Sequence, residues 1–444
     1  MVQTEPDTHA EPWANPGADT RVNAQADTRV SAGPHAAASV AAQTAAPTGA
    51  RTPTDGAKPS VIVIGGGLIG ATITYNLARA GHAVTLIERA QAASAATSKS
   101  FAWINAGSTD NPDYVRLRAA SLAAYRDLAL TLGVDDLLRT GGSLLFDPDP
   151  GVLSAKQATL TGLGCACALL DQAQVRALEP HVANLGAPSR PSSQPSSQPS
   201  WQPSSQPASA SAAEPAALHC PDDAAIDPVA LARLLITAAT QEGARCLLGC
   251  DATLRRDGDR VTGVATAFGV MRADEIVVAA GTAAADLLAS VDVRLPMDNR
   301  RGLVVHTHPV APLVERVILA PRVHFRQERD GRFIAGETFS GVREGTSADA
   351  LDPLAVADDV LAALRHHLPQ GLELGLAQIV SGVRPMPVDG YPAVGRARGV
   401  DGLYIASMHS GITLAPIIGQ LVAGELGGGE PDPLLAPFRP TRFN

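Results

Sequence analysis

Residues 61–88 hold a short apolar run, a turn with Gly65, Gly67 and Gly70, an apolar-periodic stretch, and a second apolar run ending on Glu88. That order predicts a buried strand, a tight turn, a helix and a parallel second strand, the start of a doubly wound α/β sheet. Gly65 permits the turn, Gly67 lets backbone approach a pyrophosphate, and Gly70 lets the helix pack on the strand. The free N–H groups at the helix start face phosphate oxygens. Glu88 stands where a carboxylate accepts both ribose hydroxyls, and its charge disfavours a 2′-phosphate. A glycine turn alone is weak evidence, and a purely structural turn is the competing reading. The strand, helix and acid at the required spacing make it a seat for NAD or FAD, without choosing between them.

The chain has 444 residues, enough for two domains. Residues 1–58 are rich in Ala, Thr, Pro and Asp and lack apolar periodicity, so a disordered tail is expected. They show neither the charged start and apolar run of a signal peptide nor the acid-poor composition of a transit peptide. Residues 189–216 carry Pro-Ser-Ser-Gln units around Trp201 and read as a low-complexity insertion at a surface turn. The net charge of −9, with no basic cluster, speaks against a nucleic-acid partner. The longest apolar stretch, 403–424, is broken by His409, Pro416 and Gln420, so no integral membrane segment is expected. Five cysteines without a Cys-x-x-Cys pair suit reduced thiols and a cytoplasmic location. Cys165 and Cys167 are expected as small apolar residues. His306 and His308 share a strand face without a carboxylate, a poor metal site, and no metal is expected.

Downstream, residues 94–105 are small and nearly uncharged, as suits backbone that touches a ligand. A helix is expected over 112–132 and a strand over 140–146. Asp227 and Pro228 read as an N-cap and first helical residue, with the helix running to about 241. Short strands follow near 246–249, 252–255, 260–267 and 270–272. Residues 275–281 form another buried strand closing on glycine. From 302 to 337 alternation with polar turns predicts an antiparallel sheet. Residues 402–406 return to a buried strand, then a polar turn and an apolar helix over 412–425. The chain therefore leaves the nucleotide domain and comes back to it.

These blocks, with Arg301 and Gly302, the stretch 382–395 around Arg384, and the stretch 409–416, are similar to the FAD-dependent D-amino-acid-oxidase-like family. That family includes glycine oxidase, sarcosine oxidase and D-amino acid dehydrogenase. The resemblance covers about 58–187 and 217–430. It implies an α/β chain, α+β overall, in which a Rossmann-like FAD-binding domain is interleaved with an antiparallel-sheet substrate domain. The expected division is FAD-binding parts at 59–139, 217–295 and 381–430, substrate parts at 140–188 and 296–380, and a C-terminal tail at 431–444. It further implies that Gly65, Gly67, Gly70, Glu88, Arg89, Ser98, Lys99, Ser100, Ala280, Gly281, Gly411, Ile412 and Thr413 hold FAD. The helix opening at Gly411 would face the flavin's N1–O2 edge. No cysteine stands near Arg384, so the FAD is expected to be noncovalent.

By the same resemblance Arg384 grips a substrate carboxylate through its two-pronged guanidinium. A structural arginine paired with Asp389 is the alternative. The second substrate-facing arginine of glycine oxidase is absent, Met408, His409 and Ser410 standing in that stretch, and His324 stands near a substrate-facing tyrosine of relatives. Both histidines are candidate catalytic residues; for His409, contact with the flavin edge or the substrate and a histidine satisfied by backbone stand as equal readings. Lysines occur only at 58, 99 and 156; Lys99 would neutralise FAD or be an ordinary loop lysine. The implied reaction is oxidation of a small amine or amino acid (D-amino acid, glycine or N-methyl type). Hydride passes from the carbon next to nitrogen to flavin N5, and the imine is hydrolysed. Oxygen or another acceptor then takes the electrons. The rivals are a flavin-dependent 2-hydroxy-acid dehydrogenase with a histidine base, and a non-catalytic flavin-binding interaction protein.

Overall fold

The computed structural model describes residues 58–133, 135–183, 215–337 and 352–443. The expected N-terminal tail up to residue 57 and nearly all of the Pro/Ser/Gln insertion lie outside the described residues. The first strand, β1 (Val61–Ile64), is wholly buried and leads into α1 (Leu68–Arg79) and β2 (Val84–Glu88). Gly65 makes the turn at φ +115°, where a Cβ would stand 2.4 Å from the Ala279 carbonyl oxygen. A Cβ on Gly70 would stand 1.8 Å from the Gly65 carbonyl oxygen, so α1 approaches its strand as closely as backbone allows.

After α2 (Pro112–Leu132), capped by Asn111, the chain makes the short strand Ser143–Leu145 and later returns through β3 (Glu275–Val278). The antiparallel strands β4 (Arg300–Thr307), β5 (Val323–Gln327), β6 (Phe333–Glu337) and β7 (Leu376–Arg384) follow. Last come β8 (Leu403–Ser407) and α3 (Gly411–Leu426). Asp227 caps the helix Pro228–Gln241 as expected, accepting from the N–H groups of Val229 and Ala230.

The nucleotide-type sheet runs Ala393–Arg396, β8, β3, β1, β2, Arg245–Leu248. Every pair is parallel except the first. Side chains alternate between its faces. Val61 and Val63 join the core beneath α1 and α3, while Ile62 and Ile64 join the core beneath the strands Thr253–Asp257 and Arg260–Thr266. Burying each such aliphatic side chain stabilises by about 1.5–3 kcal/mol.

The second sheet has eight strands in the order β7, β4, β6, β5, Val317–Leu319, Ser143–Leu145, Ala217–Cys220, Ala168–Leu170. One face packs on the helix Pro353–His366 through Val305, Phe333 and Ala335. The other turns Val304, Ile334, Val317 and Leu319 toward Phe101 and Ala225.

Three expectations are corrected. The boundary at 380/381 falls inside β7, so residues 381–384 belong to the antiparallel sheet. Residues 217–220 also pair there, with Ser143–Leu145. The segment expected as a C-terminal tail contains Pro433–Phe438 and Pro440–Phe443, which form 3-10 turns with Leu435 and Phe438 buried. Helices at Pro150–Gly162, Gln172–Leu178 and Pro353–His366 were not anticipated from the sequence.

Candidate active site

A cavity of about 840 Å³ runs between the two sheets, within the size range of cofactor sites. Glu88, Arg89, Cys250, Asp251 and Ala252 line it, as do Thr97 of the turn Ala96–Lys99 and Gly65, Gly67, Ala280 and Gly281 beyond the ends of β1 and β3. The sheet face and the start of α3 add Lys99, His324, Arg384, His409 and residues 410–413.

The residues fit a dinucleotide. Glu88 accepts from the N–H of Gly66 at 2.7 Å and of Ala90 at 2.8 Å, which fixes its carboxylate at the lining. A carboxylate has about four acceptor positions, so capacity remains for ribose hydroxyls. At the other side, α3 begins at Ser410 without a side-chain cap. Leu414 donates to Ser410, and Gly411 donates to the His409 carbonyl. Among the described residues the N–H groups of Ile412 and Thr413 have no acceptor. Two unfilled donors at a helix N-terminus on a cavity wall suit a ring edge that becomes negative on reduction.

Glycines on the sheet make a floor on which basic side chains lie. Gly302 on β4 and Gly382 on β7 are register partners, so they open to the same face. A Cβ at Gly302 would stand 2.8 Å from Nε and Nη2 of Arg384. A Cβ at Gly382 would stand 2.8 Å from Cβ of Lys99, and one at Gly336 would stand 2.8 Å from Nε2 of His324. The three basic residues therefore share one face. His324 also meets the Phe101 ring edge-on at 4.3 Å between centroids.

Burial and the neighbouring Arg300 lower the pKa of Arg384, with no acid to offset them among the described residues. The alternative pairing with Asp389 is not made, because Asp389 binds Arg442 at 2.6 Å. Burial first, and then the nearby Arg384 charge, lower His324 to about 3 and His409 to about 4. Both imidazoles are neutral over the physiological range.

Of the residues expected to hold FAD, Gly65, Gly67, Glu88, Arg89, Lys99, Ser100, Ala280, Gly281, Gly411, Ile412 and Thr413 line the cavity. Gly70 does not; its contact is with the Gly65 backbone. Ser98 does not either, since its hydroxyl turns back to the carbonyls of Ser94 and Ala95. Lys99 lies over β7 rather than at the glycine turn. Arg384, His409 and His324 are brought together on the same cavity wall.

The sequence reading missed Arg118. It is 2% exposed on α2 and lines the cavity, donating to the Asn105 carbonyl at 3.0 Å, Asn105 Oδ1 at 2.6 Å and Ser410 Oγ at 2.6 Å. The available signal was an arginine within the apolar stripe formed by Tyr114, Leu117, Ser121 and Tyr125. Cys250 is buried at the lining, and its N–H donates to the Glu88 carbonyl. Among the described residues no helix is long and apolar enough to cross a membrane, and no His/Cys/Asp/Glu group could hold a metal ion.

Comparison with known proteins places these features in a family. The pattern of the FAD dependent oxidoreductase family matches residues 60–425. The chain is 32% identical over 190 residues to a glycine oxidase of Pseudomonas aeruginosa, an alignment that covers 42% of this chain and 50% of that protein. The chain thus spans about half the length of that relative, and likewise of a Pseudomonas putida glycine oxidase at 35% identity. The crystal structure of glycine oxidase from Geobacillus kaustophilus superposes with a TM-score of 0.70 at 25% identity, covering 86% of this chain and 98% of the other.

Proposed function

Because the chain belongs to the FAD dependent oxidoreductase family, we propose that it oxidises a small amine or amino acid at the carbon next to nitrogen, with a carboxylate of the substrate held by Arg384. Bound FAD supplies the acceptor for the two electrons. Arg384 carries the reading: a half-buried guanidinium on the cavity wall, with no acid among the described residues offsetting its charge, is arranged to receive an anion from outside the chain. Lying on Gly302, it presents its donors from a strand rather than a loop, which fixes where a bound carboxylate points. His324 and His409 flank it as neutral hydrogen-bonding groups and add no charge.

A 2-hydroxy acid would need a base to take the hydroxyl proton. Both imidazoles resist protonation beside Arg384, so they serve that chemistry poorly. An amine with a free lone pair needs no such base. Noncovalent binding of FAD is supported by the position of Cys250, beside Glu88, whereas Gly382 to Arg384 contain no cysteine.

The test is an anaerobic titration of the purified, flavin-loaded protein with glycine, D-amino acids, N-methyl amino acids and 2-hydroxy acids. Bleaching of the flavin absorbance by an amine supports the reading. If only hydroxy acids bleach it, the reaction class is wrong; if nothing does, a non-catalytic role gains.

A further inference from the structure

α3 carries Pro416 inside its early turns. Proline has no N–H, so the carbonyl four residues before it, that of Ile412, is left without its helical donor. Ile412 lies in the first turn and lines the cavity. The hydroxyl of Tyr125, a residue of α2 that is 3% exposed, donates to that carbonyl.

This contact belongs to a set. Arg118, Ser121 and Tyr125 are spaced three and four residues apart and so occupy one face of α2. Arg118 donates to Ser410 Oγ, Ser121 Oγ donates to the Thr413 carbonyl at 2.6 Å, and Tyr125 donates to the Ile412 carbonyl. The three contacts are not equivalent. Ile417 supplies a backbone N–H four residues after Thr413, so the Ser121 hydroxyl is a second donor there. The Ile412 carbonyl has no such backbone donor.

We propose that Tyr125 is a positioning residue whose hydroxyl replaces the backbone donor removed by Pro416, and thereby holds the Ile412 and Thr413 N–H groups in place at the flavin site. The proposal goes beyond the amine reading and depends only on the family's flavin. A loose first turn would spread the directions of those two N–H groups, which would then stabilise negative charge on a reduced ring less well.

The experiment is a cycle of Tyr125→Phe, Pro416→Ala and the double variant, with Ser121→Ala as comparison. Two quantities are read: the dissociation constant of FAD from the apoprotein and the reduction potential of the loaded protein. With Pro416 in place, Tyr125→Phe should weaken FAD binding about tenfold, the cost of re-ordering the loosened turn when the cofactor binds, and lower the potential. In the Pro416→Ala background the backbone N–H is restored, so the same change should move binding by less than about threefold and leave the potential in place. Ser121→Ala should also stay within about threefold, because its carbonyl keeps a donor. Equal losses in both backgrounds, or no loss in the first, overturn the proposal. Should Pro416→Ala not fold, the Ser121 comparison decides: a loss as large as that of Tyr125→Phe overturns it, and a clearly smaller one supports it.

Discussion

Arg384 is held in place by strand geometry and lines the cavity, and among the described residues no acid offsets its charge. Arg384→Ala should raise KM for a carboxylate substrate by about ten- to a hundredfold, the cost of a charge-assisted hydrogen-bond pair, while FAD stays bound. Equal KM values for the variant and the parent would remove its role. The two histidines give a pH signature. Their folded values, about 3 for His324 and about 4 for His409, lie below the ordinary 6.5. Between 6.5 and those values the unfolded chain binds more protons, so stability falls as pH falls. Each histidine should contribute a loss of up to about 2 kcal/mol between pH 7 and pH 5. His409→Gln should make the melting temperature fall less steeply across that window, with the His324 share remaining, and an unaltered slope would show that the His409 imidazole does not resist protonation. Arg384 was legible only through the motif that surrounds it, and its freedom from Asp389 was not. Arg118 went unread because an arginine in a helix normally marks solvent, and the stripe of buried residues around it on α2 was the local sign that this one is different.

The glycine turn was the most legible element, since strand, turn, helix and acid fall within one stretch of sequence, although the backbone that crowds Gly65 comes from the distant Ala279. Its members nevertheless separate by function. Gly70→Ala places a methyl 1.8 Å from the Gly65 carbonyl oxygen and should destabilise the fold by about 1–3 kcal/mol through overpacking. Gly67→Ala meets nothing nearer than Thr97 Oγ1 at 3.3 Å, so it should leave the melting temperature of the apoprotein within a degree or two, about the scatter of a neutral change, yet weaken FAD binding. Thermal melts with and without added FAD check both outcomes. The floor under Arg384, Lys99 and His324 was not legible. Gly302, Gly336 and Gly382 are far apart in sequence and become neighbours only through the register of β4, β6 and β7.

On the scale of the molecule, the C-terminal segment closes the structure. Phe438 is 1% exposed and packs with Tyr114 of α2 and with Tyr391. Arg442 binds Asp389, and Arg439 binds Glu425 of α3 at 2.6 Å. Phe438→Ala should cost about 3–5 kcal/mol, measured by denaturant unfolding; a loss below about 1 kcal/mol would show the segment to be dispensable. Composition alone suggested a tail, because the segment is short and proline-rich and most of its partners lie dozens of residues or more away. The same division runs through the whole protein. Whatever depends on spacing within one strand, turn or helix was set by the residues themselves: the nucleotide seat, the buried parallel strands and the helix opening at Gly411. Whatever depends on which distant strands and helices meet was decided by tertiary packing. That includes a buried arginine on α2, a tyrosine that answers a proline on another helix, and an arginine on the cavity wall that Asp389 does not pair. Local sterics are written in neighbouring residues, whereas burial and charge compensation belong to the assembled chain.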